Sequence, residues 1–416
     1  MQTIELLTGG IVLATYAGVA VGRVPGLKMN RATIALVGAA ALIAIGAINE
    51  RQAYAALDIG TVLLLAAMMV INANLRMAGF FTLVSDWVVR LARTPRTLLA
   101  LVIFASGVLS AIFLNDPVCL LFTPLVIDIC LRLKRDPLPY LIGLGTAANI
   151  GSVATITGNP QNLIIGQASQ IPFLTFLLYL GPLALVGLAI CWGVIVLAYR
   201  QEFTATSLAL PPDGAPKTAT NGNGRSAIYA PLLRRTMLVV IGLMIAFLVG
   251  LPIVSSAGIA AGLLLVSRLR PNKLLAIDWE LLAFFGGMFI ITGAIEATGL
   301  SEQIFQAVAP LIQGGVAPLS LTTGVLSNIV SNVPAVLLLR PEIGSLPNAQ
   351  QAWLTLAMSS TLSGNLTLLG SAATLIVAEV AARRGIRIGF VEFLRVGIPI
   401  TVMTLLVGIV WLMLVG

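Results

Sequence analysis

The chain has 416 residues, of which 58% are hydrophobic and 10% charged, and its mean hydropathy is +1.02. A soluble globular protein carries about 25% charged residues, so lipid must be the solvent for most of this chain. Three cysteines in separate apolar runs exclude a disulfide-built protein and show no metal-ligand spacing. Histidine, the commonest metal ligand and the side chain that titrates near neutral pH, does not occur.

Apolar segments that can span a bilayer follow one another along the chain, since a spanning helix needs roughly 20 apolar residues. The candidates are 4–22, 31–49, 57–79, 98–132, 138–168, 171–199, 232–250, 252–268, 278–299, 316–340, 350–381 and 389–415. The first has its basic residues after it rather than before it, which predicts a membrane helix and not a cleavable signal peptide.

Four of these segments are irregular. Segments 98–132 and 316–340 carry an Asn-x-Pro sequence at their middle, which predicts re-entrant hairpins that enter and leave on one side. Segments 138–168 and 350–381 are over-long and interrupted by glycine and small polar residues, which predicts broken helices.

The distribution of basic residues supports this assignment. If both hairpins return to their own side, 20 of the 24 Lys and Arg residues lie on one side of the membrane, which is then the cytoplasmic side. The net charge of +8 is therefore a topology signal and not a nucleic-acid footprint. We expect ten spanning helices, two hairpins and both termini outside the cell (inner) membrane.

The two halves of the chain resemble each other. Residues 58–79 align with 278–299 at an offset of 220, 106–117 with 323–334 at 217, and 155–164 with 367–376 at 212. We therefore expect a first repeat over 1–200, a cytoplasmic linker over 201–230 and a second repeat over 231–416. Because each repeat holds five spanning helices, an odd number, the second is inverted, and inverted repeats with broken helices are typical of secondary transporters. The predicted fold is an all-α polytopic membrane protein.

Polar side chains concentrate at the two hairpin tips and the two helix breaks, where irregular backbone is tolerated only inside protein or beside water. The candidate substrate- or ion-binding residues are Asn115, Asp116, Asn149, Ser152, Thr155, Thr157, Gly158, Asn159, Asn162, Ser327, Asn328, Ser331, Asn332, Asn365, Thr367, Gly370, Ser371 and Thr374. Such a neutral polar cup suits a hydroxylated solute, an oxyanion at helix N-termini or a dehydrated Na⁺. The alternative is that these side chains only join helices to one another.

Asp116 stands out because a charge at membrane depth is costly and usually functional. It can serve as a coupling-ion ligand, a proton carrier or a hydrogen-bonded cap. Without histidine, proton coupling must use a carboxylate, and the candidates are Asp116 and then Glu379 and Glu296. A bound H⁺ or Na⁺ is the only expected bound group; no cofactor or metal is expected.

These segments resemble those of the ion transporter superfamily, which includes arsenite permeases, antiporters and dicarboxylate transporters. Segments 113–126 and 327–334 look like the two arsenite-permease signatures, and 148–162 looks like the branch with plant silicon-efflux transporters. The resemblance implies that Asn115 and Asp116 form the first tip, and that the residues at the first break, second tip and second break are Gly158, Asn159, Asn162, Ser331, Asn332, Ser371 and Thr374. It also implies elevator-like movement, often as a homodimer. The Ser-Asn-Thr sequence of dicarboxylate carriers is absent from both tips, which argues against sodium-coupled dicarboxylate uptake.

The expected function is transport of a small solute or ion across the lipid bilayer, with no nucleic-acid partner. An intramembrane hydrolase would need paired aspartates or a histidine set, and a channel would not need inverted repeats with broken helices. The four polar segments contain no Lys or Arg to compensate a polyanion. The first hypothesis is proton-coupled export of a small hydroxylated metalloid or oxyanion. The alternatives are cation-coupled transport of carboxylate or inorganic anions, and sodium/proton antiport.

Overall fold

The computed structural model describes residues 2–21, 29–204, 207–208, 228–266, 277–300 and 309–415, and all regular structure within them is helical. The helices are α1 Gln2–Val21, α2 Arg31–Ala44, α3 Glu50–Ala56, α4 Ile59–Met77, α5 Phe80–Leu91, α6 Pro95–Ile112, α7 Asn115–Arg132, α8 Pro137–Ser152, α9 Pro160–Ser169, α10 Phe173–Ala198, α11 Ala230–Leu248, α12 Ile253–Leu265, α13 Trp279–Ala297, α14 Val316–Val330, α15 Asn332–Ile343, α16 Ala349–Leu362, α17 Ala372–Arg383 and α18 Phe390–Val415. Seven of them are long and apolar enough to cross a membrane.

Both predicted hairpins are pairs of helices joined by a very short turn. α6 and α7 are separated by two residues, and α14 and α15 by Ser331 alone. Ser331 has φ 77° and ψ 160°, a region that residues other than glycine rarely enter. Such backbone strain costs about 1–3 kcal/mol and is typical of functional turns, so the second tip is a notable position in the fold.

Both predicted broken helices are also present. The first break lies between α8 and α9, and the second contains a 3₁₀ turn, Ser363–Asn365, between α16 and α17. The helix after each break begins with the same cap: Asn159 accepts a hydrogen bond from the backbone N–H of Asn162, and Ser371 from that of Thr374. The cap satisfies a backbone donor that the break leaves without a partner.

The repeat is visible in the helix ends. α4 and α13 are both 19 residues long, and each begins after an aspartate cap, Asp58 or Asp278. Each ends before a glycine in the left-handed region, Gly79 at φ 77° and Gly299 at φ 75°. α10 and α18 are both 26 residues long with an internal proline. The sequence similarity therefore corresponds to similar local structure.

Helices of the two repeats pack across each other in matching pairs. α2 packs on α13 while its counterpart α12 packs on α4, and α7 packs on α17 while α15 packs on α9. The result is two bodies, each built from both repeats. We call α1–α4 with α11–α13 the scaffold, and α6–α10 with α14–α18 the hairpin body.

Some elements differ from the sequence-based expectation. The predicted span 31–49 is the shorter helix α2, and a separate short helix, α3, follows it. Helix α5 was not expected; it buries Phe81, Ser85 and Val88, which recur at helical spacing on one face. Most of the predicted linker lies outside the described residues.

Candidate substrate site

A cavity of about 660 Å³ lies between the scaffold and the hairpin body. Asn115 and Asp116 of the first tip line it, and so do Ser331 and Asn332 of the second. The two tips are 217 residues apart in sequence yet reach one space, because the inverted repeats bring α7 and α15 together from opposite directions.

Asn149 connects the first tip to the second break. Its Oδ1 accepts a hydrogen bond from Asn115 Nδ2 at 3.1 Å. Its Nδ2 donates to Asn365 Oδ1 at 3.0 Å and to Ser371 Oγ at 2.7 Å. The backbone N–H of Asn115 also donates to the carbonyl of Gly158 at 3.0 Å. One buried amide therefore holds together elements of both repeats.

The second tip is held in a related way. With the Asn332 amide oriented to satisfy its surroundings, Nδ2 donates to the carbonyls of Gly370 at 3.2 Å and Ser360 at 3.1 Å. Asn328 Nδ2 donates to the carbonyl of Ser363 at 3.0 Å. Gly158 and Gly370 are equivalent repeat positions, so in each repeat the tip asparagine contacts the glycine of a helix break.

A second group of candidate residues lies behind the cavity wall and supports the first break. Asn159 Nδ2 donates to Ser152 Oγ at 2.8 Å and to Thr361 Oγ1 at 3.2 Å. Asn162 Nδ2 donates to the carbonyls of Thr155 at 2.9 Å and Ser152 at 3.1 Å. These amides replace the helical hydrogen bonds that the break removes.

The structure thus divides the candidate residues into two sets. Those on the cavity wall are Asn115, Asp116, Asn149, Ser331, Asn332, Ser371 and Glu379. Those not on the wall are Ser152, Thr155, Thr157, Gly158, Asn159, Asn162, Ser327, Asn328, Asn365, Thr367, Gly370 and Thr374. Glu296, the third carboxylate considered for proton coupling, is exposed and is also not on the wall.

One buried acceptor on the wall lacks a hydrogen-bond partner. Asn115 Oδ1 has none among the described residues, although its residue is only 4% exposed. An unpaired buried carbonyl oxygen is costly unless water or a ligand satisfies it. It can accept a hydrogen bond from a solute hydroxyl.

Charged residues that sequence analysis did not select also line the cavity. Arg31, at the start of α2, and Asp278 and Glu280, at the start of α13, come from the scaffold. With Asp116 and Glu379 from the hairpin body, the described wall carries four carboxylates and one guanidinium. Arg31 was assigned to a cytoplasmic loop because its position near the cavity depends on how α2 packs on α13.

Comparison with known proteins identifies the family. The family model described as a citrate transporter matches residues 16–362, most of the chain. The chain belongs to this citrate transporter family. The family prediction of an all-helical ion-transporter-type membrane protein is therefore confirmed, and the protein is a membrane transporter and not an enzyme.

Relatives and a solved structure support the same assignment. The chain is 31% identical to the silicon efflux transporter LSI3 of Oryza sativa subsp. japonica, over 97% of each chain. It is 24% identical to the putative transporter arsB of Dictyostelium discoideum, over 94% of this chain and 88% of that one. The fold matches the YdaH transporter of Alcanivorax borkumensis with a TM-score of 0.55 at 15% identity, over 99% of this chain and 97% of that one. The names of these family members refer to different solutes, so the solute must be argued from the site.

Proposed function

We propose that the protein is a proton-coupled exporter of a small hydroxylated metalloid or oxyanion, of the arsenite or silicic acid type. The supporting observation is the cavity wall, in which neutral amides and hydroxyls at the hairpin tips face four carboxylates and one arginine. A polyanion would be repelled by this set of charges, whereas an uncharged polyhydroxy acid needs only hydrogen-bond partners.

The tip asparagines supply such partners. An amide both donates and accepts hydrogen bonds, as does a solute hydroxyl. Asn115 Oδ1 is an acceptor without a partner among the described residues, and Ser331 and Asn332 face the same space. The similarity to a silicon efflux transporter agrees with a neutral hydroxylated solute.

The position of the cavity agrees with loading from the cytoplasm. It is lined by the end of α1, the beginnings of α2 and α13 and the C-terminal half of α17. These are the ends that the distribution of basic residues assigns to the cytoplasm. We further propose location in the cell (inner) membrane with both termini outside, Asp116 as a proton carrier and a homodimeric assembly.

A second candidate function is cation-coupled transport of a carboxylate or inorganic anion. Arg31 favours it, because a guanidinium can bind a carboxylate with two hydrogen bonds and this one lies on the same wall as the tips. Sodium/proton antiport is a third candidate, which the four carboxylates of the wall favour.

Uptake into everted membrane vesicles tests the proposal. Arsenite, silicic acid, citrate, succinate and Na⁺ are offered with an imposed pH gradient, with and without a protonophore. We expect uptake of arsenite or silicic acid that the protonophore abolishes. Uptake of citrate or succinate alone would replace the proposed solute with the second candidate, and Na⁺ movement alone would replace it with the third.

A further inference from the structure

The scaffold and the hairpin body are in contact on the face opposite the cavity. There Arg340 Nη1 of α15 lies 3.3 Å from Asp58 Oδ2, just before α4. A Cβ atom added to Gly60 would lie 3.0 Å from Gln167 Oε1, so the first turn of α4 touches the end of α9. This face is closed by one ion pair and one neutral contact.

The same positions of the other repeat line the open cavity. Asp278 and Glu280 stand 220 residues after Asp58 and Gly60, and Glu379 stands 212 residues after Gln167. Matching caps at Asp58 and Asp278 support these equivalences. The contact that is closed on one face is therefore open on the other.

Inverted repeats exchange their arrangements when a transporter alternates between its two faces. If the cavity closes as the opposite face is closed now, Glu280 meets Glu379 where Gly60 now meets Gln167. The exchange also provides no second arginine, because the equivalent of Arg340 at an offset of 217 is Thr123, which is buried on α7. Two carboxylates replace a neutral pair.

The other charges around this contact do not remove the repulsion. Among the described residues, the charged groups that line the cavity beside the two glutamates are Arg31 from α2, Asp116 from α7 and Asp278 from α13. The pair formed by Asp128 of α7 and Arg384, just after α17, is internally neutral. One guanidinium faces four carboxylates, so closure without neutralisation is opposed by like charges.

We propose that Glu280 and Glu379 form a carboxylate pair that takes up one proton when the cavity closes and releases it when the cavity opens. The proton comes from the water of the cavity, binds one carboxylate oxygen and is shared with the other carboxylate in an O–H···O hydrogen bond. The inference rests on the proton-coupled transport proposed above and adds a proton site that spans the moving interface, separate from Asp116 at the tip.

Cross-linking tests whether the two positions meet. The variant Glu280→Cys/Glu379→Cys is compared with Gly60→Cys/Gln167→Cys, using a short bifunctional thiol reagent on protein in lipid nanodiscs. The native cysteines are buried and provide a low background. We expect both pairs to cross-link, and the 280–379 link to protect the cavity from a water-soluble thiol reagent. A 60–167 link without any 280–379 link would overturn the proposed closure.

The accessibility of the cavity tests the proton. A reporter Leu375→Cys on the wall is labelled with a water-soluble maleimide, without solute, between about pH 5 and about pH 8, with rates corrected for maleimide reactivity toward an exposed cysteine. We expect the labelling rate to rise several-fold with pH and this rise to be largely lost in Glu280→Gln and Glu379→Gln. The matched control Glu296→Gln, an exposed glutamate of the same helix α13, should keep it.

An unchanged pH profile in both glutamine variants, or no pH dependence in the parent, would overturn the proton pair. Because no solute is present, failure of metalloid transport leaves this result intact and replaces only the solute. Successful metalloid transport with an unchanged profile would instead leave the proposed function intact and remove the pair.

Discussion

Asn149 shows what a single residue contributes to this fold. Its amide makes three hydrogen bonds to Asn115, Asn365 and Ser371, which belong to the first tip and the second break. The sequence indicated a polar residue in a broken helix but not a bridge between the repeats, because its partners lie 34, 216 and 222 residues away.

We predict that Asn149→Ala destabilises the protein by about 1–3 kcal/mol or more, because it leaves buried polar groups without partners. Thermal unfolding in detergent measures the effect. Asn332→Ala is the comparison: it should mainly raise the half-saturation concentration, by about tenfold, if the tip amide binds solute. Asn149→Ala with unchanged unfolding would show that the bridge is not needed for stability.

Asp116→Asn should fold and insert but lose transport driven by a pH gradient, because the amide cannot carry a proton at the tip. Vesicle uptake with and without the gradient measures this loss. Asp128→Asn is the control, since Asp128 lies on the same helix in an ion pair with Arg384 at 3.0 Å. Exposed ion pairs contribute about 0–1 kcal/mol, so the control should transport normally. Unchanged gradient-driven transport in Asp116→Asn would exclude it as the proton carrier.

At the scale of helices, the sequence predicted breaks better than close contacts. Asn-x-Pro and the glycines revealed where hairpins and breaks occur, since proline and glycine act on the local backbone. The crossing of α6 and α8 could not be predicted in this way. There, a Cβ atom on Gly151 would lie 2.1 Å from the carbonyl oxygen of Gly107, so the two backbones are in contact.

Gly151→Ala should therefore destabilise the protein by about 1–3 kcal/mol or more, because α6 must move away from α8. Gly193→Ala is the matched control on α10, where an added Cβ meets nothing within 4 Å. There alanine should be neutral or stabilise the helix by about 0.5–1 kcal/mol. Thermal unfolding of the two variants compares them, and equal midpoints would contradict the close crossing.

The segment after α10 provides a pH-dependent contact outside the spanning helices. Burial raises the pKa of Glu202, while Arg135 at 3.7 Å and the hydrogen bond from Tyr140 oppose the shift. A carboxyl whose pKa is raised in the folded state binds more protons there than in the unfolded state, so stability falls as pH rises from its ordinary range through the raised value. Glu202→Gln should flatten this part of the stability profile, measured by thermal unfolding across acidic pH. An unchanged slope would show that Glu202 does not contribute.

At the scale of the molecule, the repeat was predictable but its packing was not. Local similarity reveals duplicated units, and an odd number of spans makes the second unit inverted. The scaffold and the hairpin body nevertheless each combine helices from both halves. Arg31 could be placed on the cavity wall only once α2 was known to pack on α13, a helix about 250 residues later.

The orientation of the whole molecule follows from charge. The ends of the chain's helices near the cavity carry most of the basic residues, which favours the cytoplasm, whereas the closed face of Asp58 and Arg340 is assigned outside. We predict that Ser345→Cys, an exposed position after α15, is labelled by an impermeant thiol reagent in intact cells, and that Asp213→Cys in the linker is labelled only after permeabilisation. The reverse pattern would place the cavity on the outside, so that solute would load there and the proposed export would become uptake. Labelling of both positions in intact cells would contradict the hairpin assignment, because a hairpin that crossed fully would exchange the sides of every later segment.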